Sequence, residues 1–318
     1  MVLLFLRILG LRTLYGISEE IYKNQPFHLL YGPGQGSTIG PFLWLLCFVL
    51  IFSSLLTTAP AIELTNVAQT SRQKFVGEAF VDDAGLGTNT TPSPADHHTL
   101  IKNLQQLAQT WEKLLFSTGG ALNLSKCFWF LLSWEWKDGR AKLCTSITAP
   151  GTLQMTSEGE LDKYITIPRI EPTSSFRTSG VHISPSGSNS GALAVLKGIV
   201  LDYCTNLRGS HLSQQDALTS YIQYLLPKLR FQPPVLSLSQ QDCDKFTSRI
   251  MSALLPKLHV NRHTARSIIF GPEKYGGLAL PNVYVTANID KLKLFLGHLR
   301  IPDHTGILID INVKILVP

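Results

Sequence analysis

Phe80-Val81-Asp82-Asp83-Ala84-Gly85 sets two adjacent carboxylates behind an apolar pair and ahead of a small, turn-prone pair. Residues 75–81 are mostly apolar or neutral. This pattern predicts a strand that delivers both aspartates to the tip of a hairpin, with the return strand starting near Ala84. Carboxylates held at such a tip suit magnesium, which takes hard oxygen ligands, keeps several waters and is bound through one or two carboxylates plus substrate phosphates. The same composition also makes an ordinary Asx-rich surface turn. The neighbouring blocks therefore decide the reading.

Upstream runs Tyr31-Gly32-Pro33-Gly34-Gln35-Gly36-Ser37-Thr38-Ile39-Gly40-Pro41, followed by an apolar segment. Downstream lies Gly119-Gly120-Ala121-Leu122-Asn123-Leu124-Ser125-Lys126-Cys127. In this order and spacing the three blocks resemble the palm of a retrotransposon-type reverse transcriptase, with a resemblance that covers roughly residues 31 to 300. Gly34-Gln35-Gly36 is similar to that family's Gln-Gly loop opening a helix, and Phe80-Val81-Asp82-Asp83 to its aromatic-x-Asp-Asp hairpin. The stretch ending at Lys126 resembles the Gly…Lys element beside the incoming nucleotide. Phe176-Arg177-Thr178-Ser179-Gly180-Val181 sits where such enzymes carry the hairpin that grips the primer end.

The resemblance implies roles. Asp82 would be the main magnesium ligand with Asp83 assisting, and Lys126 would protonate the pyrophosphate leaving group. Gln35 and Gly36 would shape the nucleotide and template pocket, and Arg177 would lie at the primer end. The implied partners are an RNA or DNA template–primer and deoxynucleoside triphosphates.

The chain also departs from the family. A nucleotidyl-transfer site of this kind clamps two metal ions between carboxylates from two separate strands, and in the family the first of those strands precedes the Gln-Gly loop. Here the first 81 residues contain no aspartate, and Glu19, Glu20, Glu63 and Glu78 are the only acids ahead of Asp82. In Ile17-Ser18-Glu19-Glu20-Ile21, Ser18 reads as a helix N-cap with acids in the first turn. The expectation is a polymerase fragment that lacks its fingers and first catalytic strand and is inactive alone, with a second chain as one source of the missing part.

Composition bounds the remainder. With 44% apolar and 16% charged residues over 318, the chain is a folded protein with a sizeable core. A net charge of +6 is consistent with a polyanionic partner. Cys47, Cys127, Cys144, Cys204 and Cys243 are odd in number, widely spaced and without a C-x-x-C pair, and read as buried thiols.

Residues 40–62 carry no charge and are long enough to cross a bilayer. Pro41, Ser53, Ser54, Thr57, Thr58 and Pro60 leave a strongly apolar centre at 42–52 only, a length typical of a buried core helix. Residues 1–14 show a Leu/Ile-rich helical pattern, read as a truncated palm helix within an N-terminal helical segment 1–30. The sequons at Asn89 and Asn123 matter only in a secreted protein. A nuclear or cytoplasmic location is the expectation, with the membrane as alternative.

Further on, residues 97–115 place Leu100, Leu104, Leu107 and Trp111 at helical spacing. His97 and His98 read as solvated first-turn residues. Residues 127–136 read as a buried strand, ending at an Asp138-Gly139 turn before a return strand 140–146. Trp129, Trp134 and Trp136 in it read as core, with base stacking as the alternative. The Ser/Gly/Pro-rich stretch 184–191 reads as a domain boundary.

Helices are then expected at 192–207, 213–226, 240–255, 261–270 and 282–299. Leu225-Leu226-Pro227-Lys228-Leu229-Arg230 is echoed by Leu254-Leu255-Pro256-Lys257-Leu258-His259, suggesting two similar corners where proline stops a helix. Lys228, Arg230, Lys257, Arg262 and Arg266 are candidate phosphate contacts, against the plainer reading of a solvated face.

The fold class expected is α+β: a partial palm at 31–185, an antiparallel sheet with packed helices, then an all-helical thumb-like domain at 186–300 and a tail at 301–318. The competing readings are a non-catalytic membrane protein anchored by 40–62 and a nucleic-acid-binding remnant without chemistry.

Overall fold

The computed structural model of the chain describes residues 8–13, 16–23, 38, 40–80, 83–89, 96–118, 122–157, 160–301 and 303–316. The fold mixes helix and strand, with small antiparallel sheets. Strands β1 (Ile8–Thr13) and β2 (Gly16–Lys23) precede helix α1 (Gly40–Thr58); β3 (Ile62–Thr65), β4 (Arg72–Phe75), β5 (Gly77–Phe80) and β6 (Asp83–Leu86) lead to α2 (His97–Ser117). Next come β7 (Trp134–Lys137), β8 (Arg140–Leu143), β9 (Leu153–Ser157), β10 (Glu160–Ile167), β11 (Phe176–Thr178) and β12 (Val181–Ile183). The helices α3 (Ser190–Gly209), α4 (Gln214–Thr219), α5 (Leu226–Phe231), α6 (Gln240–Lys257), α7 (Arg266–Phe270), α8 (Val283–Arg300) and α9 (His304–Leu316) follow.

Each strand pairs with its sequence neighbour, so the described strands form separate two-stranded ladders in place of the single sheet expected. Short strands joined by short loops pair at the lowest closure entropy. The chain divides into two compact units, one holding residues 1–64, 74–129 and 149–169, the other 65–73, 130–148 and 170–318. This differs from the expected division at about 185, because the β7–β8 and β11–β12 hairpins belong with the helices.

In the first unit the expected N-terminal helix is a hairpin. β1 pairs antiparallel with β2 from Ile8↔Lys23 to Thr13↔Gly16, so Ser18 lies in a strand and caps no helix. Gly10 and Gly16 would each cost about 1 kcal/mol in a helix, while β-branched Ile8, Thr13, Ile17 and Ile21 favour a pleated backbone. Helix α1 ends at Thr58, ahead of Pro60, and Ile62 already belongs to β3. The buried core helix expected there is buried along one stripe only. Phe48, Ile51 and Leu55 pack with Val76, Leu107 and Trp111, and the Phe48 and Phe52 rings lie 5.8 and 5.5 Å from Trp111. Phe42, Leu45, Val49, Leu50 and Leu56 stay exposed, because amphipathic α2 offers one apolar face and covers one stripe.

The flank of α2 covers the edge of β9. Gln105 donates through Nε2 to the Gln154 carbonyl (2.6 Å) and accepts from Gln154 N–H (2.8 Å), as a neighbouring strand would. Asn89 does the same for β3, accepting from Glu63 N–H and donating to its carbonyl, both at 2.9 Å. Its amide is therefore committed inside the fold and is a poor glycan acceptor.

The second unit is built on α3 and α6. Ala192, Leu196, Val200, Tyr203, Cys204 and Leu207 recur every three or four residues and pack with Cys243, Phe246, Ile250, Met251 and Leu254 in one core. Between α4 and α5 the chain makes a π-turn, Ser220–Leu225. Ala217, Tyr221, Leu225 and Leu229 are spaced by four and all fully buried. In an α-helix each four-residue step drifts by about 40°, so a wider turn is needed to keep them on one face.

Leu226 N–H donates to Tyr221 O, an i→i−5 bond immediately ahead of Pro227, which has no N–H to place. The two proline motifs are thus not the matching corners expected. Pro227 sits within the first turn of α5 and Pro256 within the last turn of α6. Of the five cysteines, Cys144, Cys204 and Cys243 are buried and Cys47 and Cys127 half-buried; burial pushes the Cys243 thiol up to about 11.

Three further expectations change here. Residues 261–264 form a turn, with Asn261 Oδ1 accepting from His263 N–H at 2.9 Å, so α7 starts only at Arg266; a short amide side chain competes with the helix for backbone donors. The expected tail is helix α9, whose Gly306 N–H is taken by Asp303 Oδ1 at 2.7 Å. The expected buried strand 127–136 reduces to a parallel bridge between Trp129 and Arg169. Trp129 is buried, with its indole N–H on Ile167 O at 3.1 Å. Trp134 and Trp136 are exposed on β7. The Asp138-Gly139 turn does close the β7–β8 hairpin, at φ 54° and 72°, the left-handed pair of a type I′ turn.

The buried face of α6 sets the stability of the second unit. Leu254→Ala is expected to cost roughly 2–5 kcal/mol, while Leu292→Ala on the open face of α8 stays within about 0.5 kcal/mol. Urea unfolding of the two variants checks the contrast.

Candidate catalytic hairpin and basic surface

Strands β5 and β6 pair as Gly77↔Leu86, Glu78↔Gly85, Ala79↔Ala84 and Phe80↔Asp83. The register needs glycine at 77, since a Cβ there would lie 2.1 Å from the Gly85 carbonyl oxygen. Val81 and Asp82 fall between the strands and lie outside the described residues, as do Gln35 and Gly36. The return strand starts at Asp83, one residue before the expected position, and Asp83 is exposed. Opposed and alternate residues share a face, so Glu78, Asp83 and Gly85 are on one side. The Glu78 side chain lies across Gly85, its Cγ 3.7 Å from where a Cβ would be. The hairpin thus sets Glu78 diagonal to Asp83, at a Cα separation of about 7–8 Å.

This donor set is oxygen-only and open to solvent, which fits magnesium in kind. It belongs to one hairpin, and it supplies no second strand for a second ion. Asp96, His97 and His98 also bring their ligand atoms within 4.8 Å of one another. Two imidazoles suit a transition metal better than magnesium, and the site sits at the positive end of α2, which disfavours a cation. Lys126 ends a short 3₁₀ turn, Leu124–Lys126, and is exposed. A cleft of about 360 Å³ is lined by Leu56, Ala59, Pro60, Glu63, Lys74 and Asn89, among others, and none of its lining residues comes from the β5–β6 hairpin.

In the second unit Arg177 is exposed on β11, opposite His182. The candidate phosphate contacts divide into two groups. Arg230 grips Asp290 with Nε at 2.6 Å and Nη2 at 2.8 Å, a bidentate pair. Lys257 Nζ donates to Ser210 O at 2.6 Å, tying the end of α6 to the end of α3. Both are structural, which corrects their assignment as free phosphate contacts. Lys228 lies over the Tyr224 ring at 3.8 Å, where the ammonium still faces outward on an exposed ring. Arg262 meets the adjacent His263 at 3.2 Å, and Arg266 is exposed. Sequence reasoning missed the two internal partners because each is some fifty or sixty residues away with no local pattern.

The chain matches no protein family, no curated protein and no solved structure with which it was compared. Function therefore rests on the residues themselves.

The Arg230–Asp290 pair gives a pH test. The hydrogen bond from Arg230 holds the Asp290 carboxyl below the usual carboxylate range. A depressed folded pKa stabilises above the unfolded value near 3.9, and that contribution disappears as pH falls through the folded value. Arg230→Gln should cost about 0.5–1 kcal/mol at pH 7, since the arginine is part-exposed. The deficit should shrink toward zero near pH 2 in thermal unfolding.

Proposed function

We propose that this chain is part of a retroelement RNA-directed DNA polymerase, with a nucleic-acid-binding helical unit that follows a palm hairpin. The observation that carries the reading is the β5–β6 ladder, which opens its return strand on exposed Asp83 directly after Asp82. Support also comes from the hairpin at Phe176–Ile183, in the place the resemblance gives to the primer grip, and from the helical unit after it. In this reading Asp82 and Asp83 hold magnesium, which supplies charge neutralisation of substrate phosphates. Lys126 gives its proton to the leaving pyrophosphate, Gln35 and Gly36 shape the nucleotide pocket, and Arg177 meets the primer end. Lys228, Arg262 and Arg266 hold the template–primer backbone by charge.

The first 81 residues supply no aspartate, and phosphoryl transfer is catalysed almost wholly by placement of reactants and charge. This chain by itself is therefore expected to bind a primer–template weakly without extending it. Primer extension with magnesium or manganese tests this directly. Extension that disappears on Asp82→Ala would show that another acid completes the site, with Glu78 on the same hairpin face the nearest candidate. Arg262→Ala with Arg266→Ala should lower the log–log salt slope of binding by about two units, whereas Lys257→Ala should lower stability and leave the slope unchanged.

A second reading is favoured by α1, which has the length and apolarity to cross a bilayer while only 17% of its apolar window is buried. Against it, the α2 helix packed on α1 carries Lys102, Gln105, Gln106, Gln109, Glu112 and Lys113, which would be costly in hydrocarbon. Carbonate extraction should release the expressed chain. Retention in the membrane pellet would favour the anchored protein.

A further inference from the structure

Helix α8 is apolar on two opposite faces. One is committed to its own unit: Val283 and Ala287 are buried, Asp290 is held by Arg230, and Lys291 Nζ donates to the Leu236 carbonyl at 2.8 Å. At about 100° per residue the opposite face runs through Val285, Ile289, Leu292, Leu296 and Leu299. These five side chains stay between 40% and 58% exposed, although α9 already packs on the helix. They are spaced four, three, four and three residues apart. That alternation averages 3.5, the period of an a/d seam by which one helix meets another in a coiled coil.

The flanking positions say which helix. With Ile289 and Leu296 at a and Val285, Leu292 and Leu299 at d, the e positions hold Thr286, Lys293 and Arg300 and the g positions Asn288 and Phe295. In a parallel pair each g residue faces the e residue five further on in the other helix, and these contacts set partner and orientation. Asn288 of one copy then meets Lys293 of the other, and Phe295 meets Arg300. Asn288 spends its amide N–H on the Tyr284 carbonyl at 2.9 Å, so its amide oxygen is the group turned to an ammonium. A guanidinium over the Phe295 ring is a cation–π contact. In an antiparallel pair e faces e, and Lys293 and Arg300 would oppose like charges.

We infer that α8 pairs in parallel with α8 of a second copy of this chain, through the seam from Val285 to Leu299, as a two-fold dimer. Two heptads are short for a free coiled coil, but here each helix is already formed on its own core and pairing carries no nucleation cost. The seam is at the small end of interface sizes, so the dimer is expected at micromolar chain concentration. Nothing in this pairing depends on the aspartate hairpin.

Sedimentation velocity of the full chain over a concentration series tests it, with a reversible dimer expected. Leu296→Glu should raise the dissociation constant at least about tenfold, since two leucines lose their burial and two carboxylates are brought together. Leu201→Glu on α3, where the leucine is 40% exposed against 42% for Leu296, should leave it unchanged. Both variants should keep the parent circular dichroism because both side chains are exposed. Under mild oxidation Leu299→Cys should give a disulfide-linked dimer beyond the level of the parent chain. In antiparallel order about the centre of the seam, residue 299 would lie some 20 Å from its copy and beside residue 285. A chain that is monomeric throughout, or a dimer that Leu296→Glu leaves intact, overturns the pairing. A crosslink of Leu299→Cys to Val285→Cys in place of Leu299→Cys to itself overturns the parallel order. A monomer that instead binds a leucine-heptad peptide flanked by glutamates, and loses it on Leu296→Glu, assigns the seam to another protein and overturns the self-pairing.

Discussion

Tyr221 has no exposed surface and donates its hydroxyl to the Pro281 carbonyl at 2.6 Å. That bond joins the interrupted helix to the residues that launch α8, and burial raises the phenol's pKa far above its ordinary value. The tyrosine reaches this position only because the π-turn resets the helix. Without it, the face running through Ala217, Tyr221, Leu225 and Leu229 would rotate away from α6. The π-turn also removes the need for an N–H where Pro227 has none. One local irregularity thus serves both the core and the proline, which accounts for its persistence at the centre of the unit.

Helices α3, α6 and α8 were legible in the sequence to within about two residues, because apolar positions recur at helical spacing, and in the fold Ser213 and Ser239 cap α4 and α6. Each serine accepts from the N–H three residues on, Asp216 at 3.2 Å and Asp242 at 3.1 Å. The Asp138-Gly139 turn was legible for a similar reason, since it needs two left-handed residues and offers both. The N-terminal hairpin was not. Leucine is apolar in either state, and the deciding contact is with a partner strand whose pairing no periodicity records. The alternation in Trp134-Glu135-Trp136-Lys137 correctly places the rings on one face, but alternation is silent on whether anything covers that face. Of the candidate site, the ladder leading into Asp83 followed from composition, while residues 35, 36 and 82 fall outside the described part of the structure.

Charge needs the same separation of identity from availability. Counted by sequence, five cations of the helical unit read as one phosphate-binding set. In the fold Arg230 is consumed by Asp290 and Lys257 by the Ser210 carbonyl, so these two hold helices together, whereas Lys228 and Arg262 make only local contacts among the described residues and Arg266 is exposed. Removing either structural cation leaves a polar partner without its bond, which costs more than the net strength of the contact. Mutational loss of binding at Arg230 or Lys257 would therefore report on folding before it reported on recognition.

Binding and chemistry separate on the same grounds. Holding a phosphate backbone requires only cations at roughly the right spacing, each acting through solvent-screened charge, so partial sets retain partial affinity. Transferring a nucleotide requires carboxylates that fix metal ions against both the attacking and the leaving oxygen, and displacement by about an ångström already removes much of the advantage. A single hairpin with Asp83 and Glu78 on one face offers ligands for one ion and does not meet that demand for two. On the same compact unit as that hairpin, α1 leaves Phe42, Leu45, Val49, Leu50 and Leu56 exposed, since α2 covers one stripe of it alone.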